Sequence, residues 1–312
     1  MTSGFGFEST TDEVLDGIDL TGRTVVVTGA TSGLGLETAR ALASKGADVT
    51  ITGRSQDKLD DAVAQLNEMG LPGAIDTAVL ELGDLDSVRS CAKELLARLD
   101  RIDVLVNNAG VMVCPLGRTT QGFETQFGTN HLGHFLLTGL LAPLLVAAAP
   151  SRVVNLASSG HRVADLDLDD PNWESREYDR WDAYGGSKTA NVLFSVGLDA
   201  RLKDKGVRSY AVHPGMIMTP LARHMVPEDL QVFSGETEPF KEVPQGAATT
   251  VLAATSPALA DTGAVYLADC QIADVDDTDA VSWGVKSYAI DPARADRLWT
   301  VSEALVGETV SF

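Results

Sequence analysis

In Tyr184-Gly185-Gly186-Ser187-Lys188, a tyrosine and a lysine stand four positions apart, just ahead of the apolar run 190–202. On a helix, residues at this spacing share a face, so the ammonium sits beside the phenol. A free tyrosine with a pKa near ~10 is a poor acid–base group at neutral pH, but an adjacent cation favours the phenolate and draws the pKa down. The pair is therefore a candidate for proton transfer. Taken alone, the spacing more often makes a solvated helix face, so the case rests on what the chain places around it.

The elements that must position this pair follow a regular alternation. Thr24-Val25-Val26-Val27-Thr28 is a β-branched run of the kind buried on both faces of a sheet. Similar short runs at 48–52, 77–82, 104–107, 152–157, 207–213 and 263–267 predict further strands. Helical patterns fall between them, near 34–45, 56–69, 85–99, 122–149, 184–202 and 244–254, with a last helix at 292–305. The fold class is thus α/β, a doubly wound parallel sheet of about seven strands with helices on both faces. Residues 1–22 read as an N-terminal extension and 23–312 as one domain, without a linker or an internal repeat. Three segments break the alternation, at 160–183, 219–243 and 268–290. Each follows a strand end, where an open α/β sheet keeps its ligand crevice, so they are read as insertions around a substrate cleft.

Other chemistry-bearing residues sit at those strand ends. Thr28-Gly29-Ala30-Thr31-Ser32-Gly33-Leu34-Gly35 links the first strand to the first helix with Gly-x-x-x-Gly-x-Gly spacing. Glycines there permit a tight turn and close approach to a pyrophosphate, and the helix N-terminus offers free N–H groups to the anion. After the second strand, Thr52-Gly53-Arg54-Ser55 lacks the acid that holds a ribose 2′-hydroxyl. Arg54 and Ser55 instead suit a 2′-phosphate, which predicts NADP over NAD.

With these motifs in order, the sequence resembles the short-chain dehydrogenase/reductases across nearly its whole length. The matching residues are the 28–35 loop, Asn107-Asn108-Ala109-Gly110, Asn130, Ser158-Ser159, Tyr184 with Lys188, and His213-Pro214-Gly215 followed by Thr219. Ser159-Gly160-His161-Arg162, the acidic insertion after it and Ala190-Asn191 look like the retinol dehydrogenase branch, which includes the WW-domain-containing oxidoreductase; no WW module is present. The resemblance implies a Rossmann fold and hydride exchange between a nicotinamide and an alcohol or carbonyl. It implies a proton transferred by Tyr184, with Lys188 lowering the Tyr184 pKa and binding the nicotinamide ribose. Of the two serines, the family pattern as read here assigns Ser159 to the substrate oxygen, and it assigns Asn130 to a water that relays protons from Lys188. For the cofactor it implies Gly29, Thr31, Ser32, Gly33, Leu34 and Gly35 at the phosphates, and Asn107, Asn108, Ala109 and Gly110 along the adenosine side. Pro214, Gly215, Ile217 and Thr219 fall at the nicotinamide end. Where the family usually has Asp-Leu against adenine, Glu81-Leu82 stand here, with Asp84 an alternative for the acid.

Composition narrows the partners. A formal charge of −20 opposes nucleic-acid binding, which depends on neutralising phosphates with Lys and Arg. Three scattered cysteines (Cys91, Cys114, Cys270) form neither a disulfide framework nor a metal site, and a reducing cytoplasm fits them. His131, His134, His161 and His213 lack ligand partners at metal spacing and read as structural. Residues 131–149 carry no Asp, Glu, Lys or Arg. They read as a buried helix or an intersubunit face rather than a membrane span, and the resemblance makes a homodimer or homotetramer the expectation. The acidic first twenty residues are unlike a signal peptide, and neither terminus reads as a membrane anchor. Trp173, Trp181, Met216, Met218, Leu221 and Met225 in the insertions point to an apolar cleft and a hydrophobic or bulky alcohol, aldehyde or ketone. The contrasting reading is a catalytically silent cofactor-binding regulator or scaffold. Its usual mark is a lost Ser, Tyr or Lys, and none is lost.

Overall fold

Alternating side chains of the short strands feed two separate cores, and this arrangement sets the architecture. In β1 (Thr24–Val27), Val26 enters one core, while Val25 and Val27 enter the other. β4 (Val104–Asn107) does the same, with Leu105 facing one way and Val104 and Val106 the other. A computed structural model of the chain describes residues 4–225, 229, 239–278, 283–310 and 312. Parts of two expected insertions, 226–228 with 230–238, and 279–282, lie outside the described residues.

The other strands are β2 (Asp48–Gly53), β3 (Ile75–Val79), β5 (Ser151–Leu156), β6 (Val207–His213), β7 (Val265–Ala268) and β8 (Gln271–Ile272). They form one sheet in the order β3-β2-β1-β4-β5-β6-β7-β8. Every pairing is parallel except β7 with β8. The chain leaves β1 toward one edge and β4 toward the other, so a crevice opens at the carboxyl ends of those two strands. The expected α/β sheet is present, extended by the short antiparallel β8 that begins the third insertion.

One face is covered by α1 (Thr11–Val14), α2 (Gly33–Ala43), α3 (Gln56–Glu68) and α8 (Val243–Thr255), which contribute Val14, Leu42, Leu59 and Val251 to the core there. On the opposite face lie α4 (Leu85–Arg98), α6 (Gly133–Ala147), α7 (Arg180–Leu202) and α9 (Pro292–Val306). The long apolar stretch departs from the single helix expected over 122–149. It is a short α5 (Thr125–Phe127), a π-turn at Gly128–Leu132 and then α6. The π-turn coincides with Asn130, whose side-chain amide is engaged by the backbone of Val111.

This apolar stretch is buried inside the chain. Phe135 of α6 packs against Trp299 of α9 with ring centroids 4.9 Å apart. Trp299 also meets Phe194 of α7 and Phe312, and Val310 lies close over Gly139. The apolarity that suggested an intersubunit face is thus largely satisfied within the chain, chiefly against α4, with the C-terminal segment closing over Phe135 and Gly139. A buried aromatic in such a cluster typically stabilises by about 3–5 kcal/mol relative to Ala.

Candidate active site

Helix α7 starts one turn before the expected 184, because Asp179 caps it by accepting bonds from the N–H groups of Trp181 and Asp182. With that turn in front of them, Tyr184 and Lys188 stand inside one rigid helix whose inner face is almost wholly buried. Tyr184 is 4% exposed, and its ring packs so closely on Gly160 that a Cβ there would lie 2.7 Å from Tyr184 Cε1. Lys188 Nζ donates to the Leu156 carbonyl at 2.9 Å and stands 5.7 Å from the centre of the Tyr184 ring.

The electrostatics differ from the simple expectation that the ammonium lowers the phenol. Burial pushes Tyr184 up to about 12, opposed by a hydrogen bond with Ser158. Burial also brings Lys188 down to about 8. With both groups out of water, desolvation is the leading cause of each shift. At neutral pH Tyr184 is a neutral phenol, the form that donates a proton, beside a lysine that still holds its charge.

Of the two serines, it is the Ser158 hydroxyl rather than Ser159 that lies beside the Tyr184 ring over Gly160 and favours its phenolate. Ser158 leaves β5 in extended conformation and caps the 3-10 turn Ser159–Arg162, with its Oγ accepting from Gly160 N at 3.0 Å. Ser159 is one residue further, where the chain has already turned, and its N–H donates to His213 Nδ1 at 3.2 Å. Successive residues leaving a strand point in opposite directions, so only one of the pair can meet the tyrosine. Both border the same cleft.

Asn130 lies behind this group. Its Oδ1 accepts from Val111 N at 2.8 Å, and its Nδ2 donates to Val111 O and to Ser187 Oγ, each at 2.9 Å. Ser187 Oγ in turn donates to the Tyr184 carbonyl at 2.7 Å. The Asn130 side chain is thus committed to holding the 110–111 backbone against α7.

The glycine loop forms a tightly fitted cradle. A Cβ at Gly29, where φ is +64°, would sit 2.7 Å from Ala109 Cβ, and one at Gly35 would sit 2.6 Å from the Gly29 carbonyl. The Asn108 amide donates to the carbonyls of Thr28 and Gly29 at 2.7 and 3.2 Å, joining the turn after β4 to the turn after β1. From this cradle a cleft of about 1160 Å³ runs to Tyr184 and Lys188. It is bordered by Thr31, Ser32, Gly33 and Leu34, by Asn108, Ala109 and Gly110, and by Pro214, Gly215, Ile217 and Thr219 at the far side. A side chain at Gly215 (φ +92°) would run into Lys241.

At the end of β2, Arg54 is two-thirds exposed and faces Glu81 at 3.5 Å. Glu81 and Leu82 border the cleft, whereas Asp84 caps α4 through Asp86 N. Ser55 begins α3 and is not part of the cleft wall, while Lys58, one turn into that helix, is. The sequence reading passed over Lys58; its position four residues after Arg54 on the next helix was the available signal. At the other end, Trp181, Met216, Met218, Leu221 and Met225 border the cleft as expected. Trp173 does not. It is buried under Arg176, 3.6 Å from the ring centre, and anchors the first insertion.

Among the described residues no His, Cys, Asp or Glu group is arranged to hold a metal ion. The histidines have other partners. His131 meets Ser302, His161 meets the Ser158 carbonyl and Lys286 N, and His134 and His213 are likewise engaged within the core. Burial lowers His131 and His213 to about 3 and His134 and His161 to about 4. In the unfolded chain each takes up a proton near ~6.5, so the stability they contribute is present above that pH and is lost as pH falls toward 4. Urea midpoints should therefore drop between pH 7 and pH 5, each histidine adding a slope of up to about 1.4 kcal/mol per pH unit. A flat profile over that interval would show that these side chains protonate within the native fold.

The family described as short chain dehydrogenase matches residues 23–229. A "Probable oxidoreductase" of Streptomyces lividans is 42% identical over 292 residues, covering 90% of this chain and 97% of that protein. "Retinol dehydrogenase 12" of Homo sapiens is 41% identical over 293 residues, covering 93% of this chain and 88% of its own. Among solved structures, an uncharacterized protein from Mycobacterium paratuberculosis is 36% identical with a TM-score of 0.75, covering 96% of this chain and 98% of that one. The Pseudomonas aeruginosa RhlG/NADP active-site complex is 26% identical with a TM-score of 0.65, covering 80% and 95%.

Proposed function

Since the chain belongs to the short-chain dehydrogenase/reductases, in their retinol dehydrogenase-like branch, we propose that it is an NADP-preferring oxidoreductase interconverting an alcohol with an aldehyde or ketone. The observation that carries this reading is Tyr184, beside Ser158 and one turn from Lys188, in a cleft that starts at the glycine cradle. The cradle fits a dinucleotide because the space a Cβ would fill at Gly29 and Gly35 is taken by neighbouring backbone, so only bare glycine brings N–H groups this close to a pyrophosphate. The bound nicotinamide would supply hydride chemistry. Ser158 holds the substrate oxygen by its hydroxyl, and Tyr184 gives that oxygen a proton or takes one from it. Lys188 keeps a positive charge beside the phenol and anchors to Leu156, while Asn130 fixes the backbone on which both depend. A substrate with an apolar body suits Trp181 and the methionines at the far end.

NADP preference is supported by Arg54 and Lys58 at the adenosine end and by the RhlG relative, whose structure holds NADP. The starting protein should use NADPH at least about tenfold more efficiently than NADH, as expected for one charge-assisted contact to a phosphate. Arg54→Asp should erase that ratio. Equal kcat/KM for the two cofactors before any substitution would remove Arg54 from the assignment. A screen of aldehydes and ketones that follows NADPH absorbance tests the activity itself, and no turnover with any of them, despite NADPH binding, would favour a silent binding protein.

A further inference from the structure

His134, in the first turn of α6, is 2% exposed and touches neither the cleft nor solvent, yet both ring nitrogens are engaged. Nε2 lies 2.9 Å from Thr28 Oγ1, and Nδ1 lies 2.9 Å from the Asn130 carbonyl. Thr28 Oγ1 also accepts from the N–H groups of Asn108 at 2.9 Å and Ala109 at 3.0 Å, which fills both of its lone pairs. Its own hydrogen must then go outward. The other acceptor, Val106 O, is 3.4 Å away and already receives Thr28 N and Asn108 N at 2.9 and 3.0 Å. The hydroxyl therefore donates to Nε2, which leaves the ring hydrogen on Nδ1 to donate to Asn130 O. The opposite tautomer would aim an Nδ1 lone pair at a carbonyl oxygen and crowd three donors onto one hydroxyl. Burial keeps the ring neutral and so preserves this pattern.

The two ends of the imidazole touch different machinery. On the Thr28 side, the hydroxyl it orients holds the Asn108–Ala109 turn against Gly29, one wall of the cradle. On the Asn130 side, the chain continues through Ser187 Oγ to the Tyr184 carbonyl. We propose that His134 is a positioning residue that couples the dinucleotide cradle to the tyrosine helix, using Nε2 for the cradle and Nδ1 for the helix. The identity of the coupled steps rests on the functional reading above, but the effect on cofactor binding can be read without any turnover.

The test compares His134→Leu, His134→Gln and His134→Asn in the full chain. NADPH dissociation constants come from protein fluorescence, and kcat from a carbonyl substrate that the starting protein reduces. A Gln amide reaches about as far as Nε2 and an Asn amide about as far as Nδ1, so each restores one end. His134→Leu should weaken NADPH binding about tenfold and lower kcat about tenfold, the range for stranding a buried hydrogen-bond partner at each end. His134→Gln should recover binding but not kcat, and His134→Asn should recover kcat but not binding. If the Leu variant does not fold, the Gln and Asn pair decides alone. Equal losses in both parameters for Gln and Asn, or a lower melting temperature with neither parameter changed, would reduce His134 to a packing residue and overturn the coupling. If the starting protein neither binds NADPH nor reduces any carbonyl, the functional reading falls and takes this inference with it. Binding and turnover in the starting protein without a Gln/Asn split overturn the coupling alone.

Discussion

Replacing Tyr184 with Phe should lower turnover by about 10²- to 10⁴-fold, the usual contribution of a positioned general acid or base, while leaving NADPH affinity nearly unchanged. The ring survives in that variant and so does its packing against Gly160; only the hydroxyl that meets Ser158 is lost. Turnover within a few fold of the starting enzyme would end the proposed mechanism. The pH profile gives a second readout. With Lys188 at about 8 and Tyr184 at about 12, both groups are protonated at neutral pH. Carbonyl reduction, which needs the phenol's proton, should be level through neutrality and decline above about 8 as Lys188 loses its charge. Alcohol oxidation, which needs the phenolate, should rise as pH increases. Profiles with the opposite slopes would assign the proton transfer to another group.

Ser158→Ala and Ser159→Ala should separate sharply. Removing Ser158 takes away the donor next to Tyr184 and should lower kcat/KM by about 10²-fold or more, as loss of one oriented donor at a reacting oxygen does. Ser159, bonded through its backbone to His213, should tolerate Ala with little change in kcat/KM. Steady-state kinetics on the two variants decide the matter, and the reverse order would return the role to Ser159.

That serine also shows where reading the chain alone ran short. The strand at 152–157, the turn after it and the presence of a serine there were all legible, because β-branched and apolar runs of that length declare a buried strand. Which of two adjacent serines turns inward depends on the angle at which the chain leaves β5, and the bond that ties the turn there, from Ser159 N–H to His213 Nδ1, joins residues 54 positions apart, beyond what periodicity reads. The cradle was legible because its glycines are dictated by local turn geometry. Arg54 was visible as a residue type, whereas Lys58 needed the placement of α3 beside the cleft. The start of α7 was hidden in a polar stretch where Asp179 caps the helix without any apolar signal. Residues 128–132 read as ordinary helix, since the π-turn arises from contacts of Asn130 with Val111, which no helical spacing announces. The sign of the Tyr184 shift was missed for a related reason. A sequence displays neighbouring charges, but desolvation depends on everything that covers them.

The packing of α9 on α7 carries one more consequence, for how the molecule comes into being. The helix that presents Tyr184 and Lys188 is synthesised well before Trp299, Val310 and Phe312, which close over it and over α6. On a ribosome, the face of α7 that α9 covers, and the patch of α6 around Phe135, must therefore wait uncovered while the β7 region and α9 are still being made. Apolar surface left open in this way before α9 is made is of the kind that aggregates or recruits chaperones.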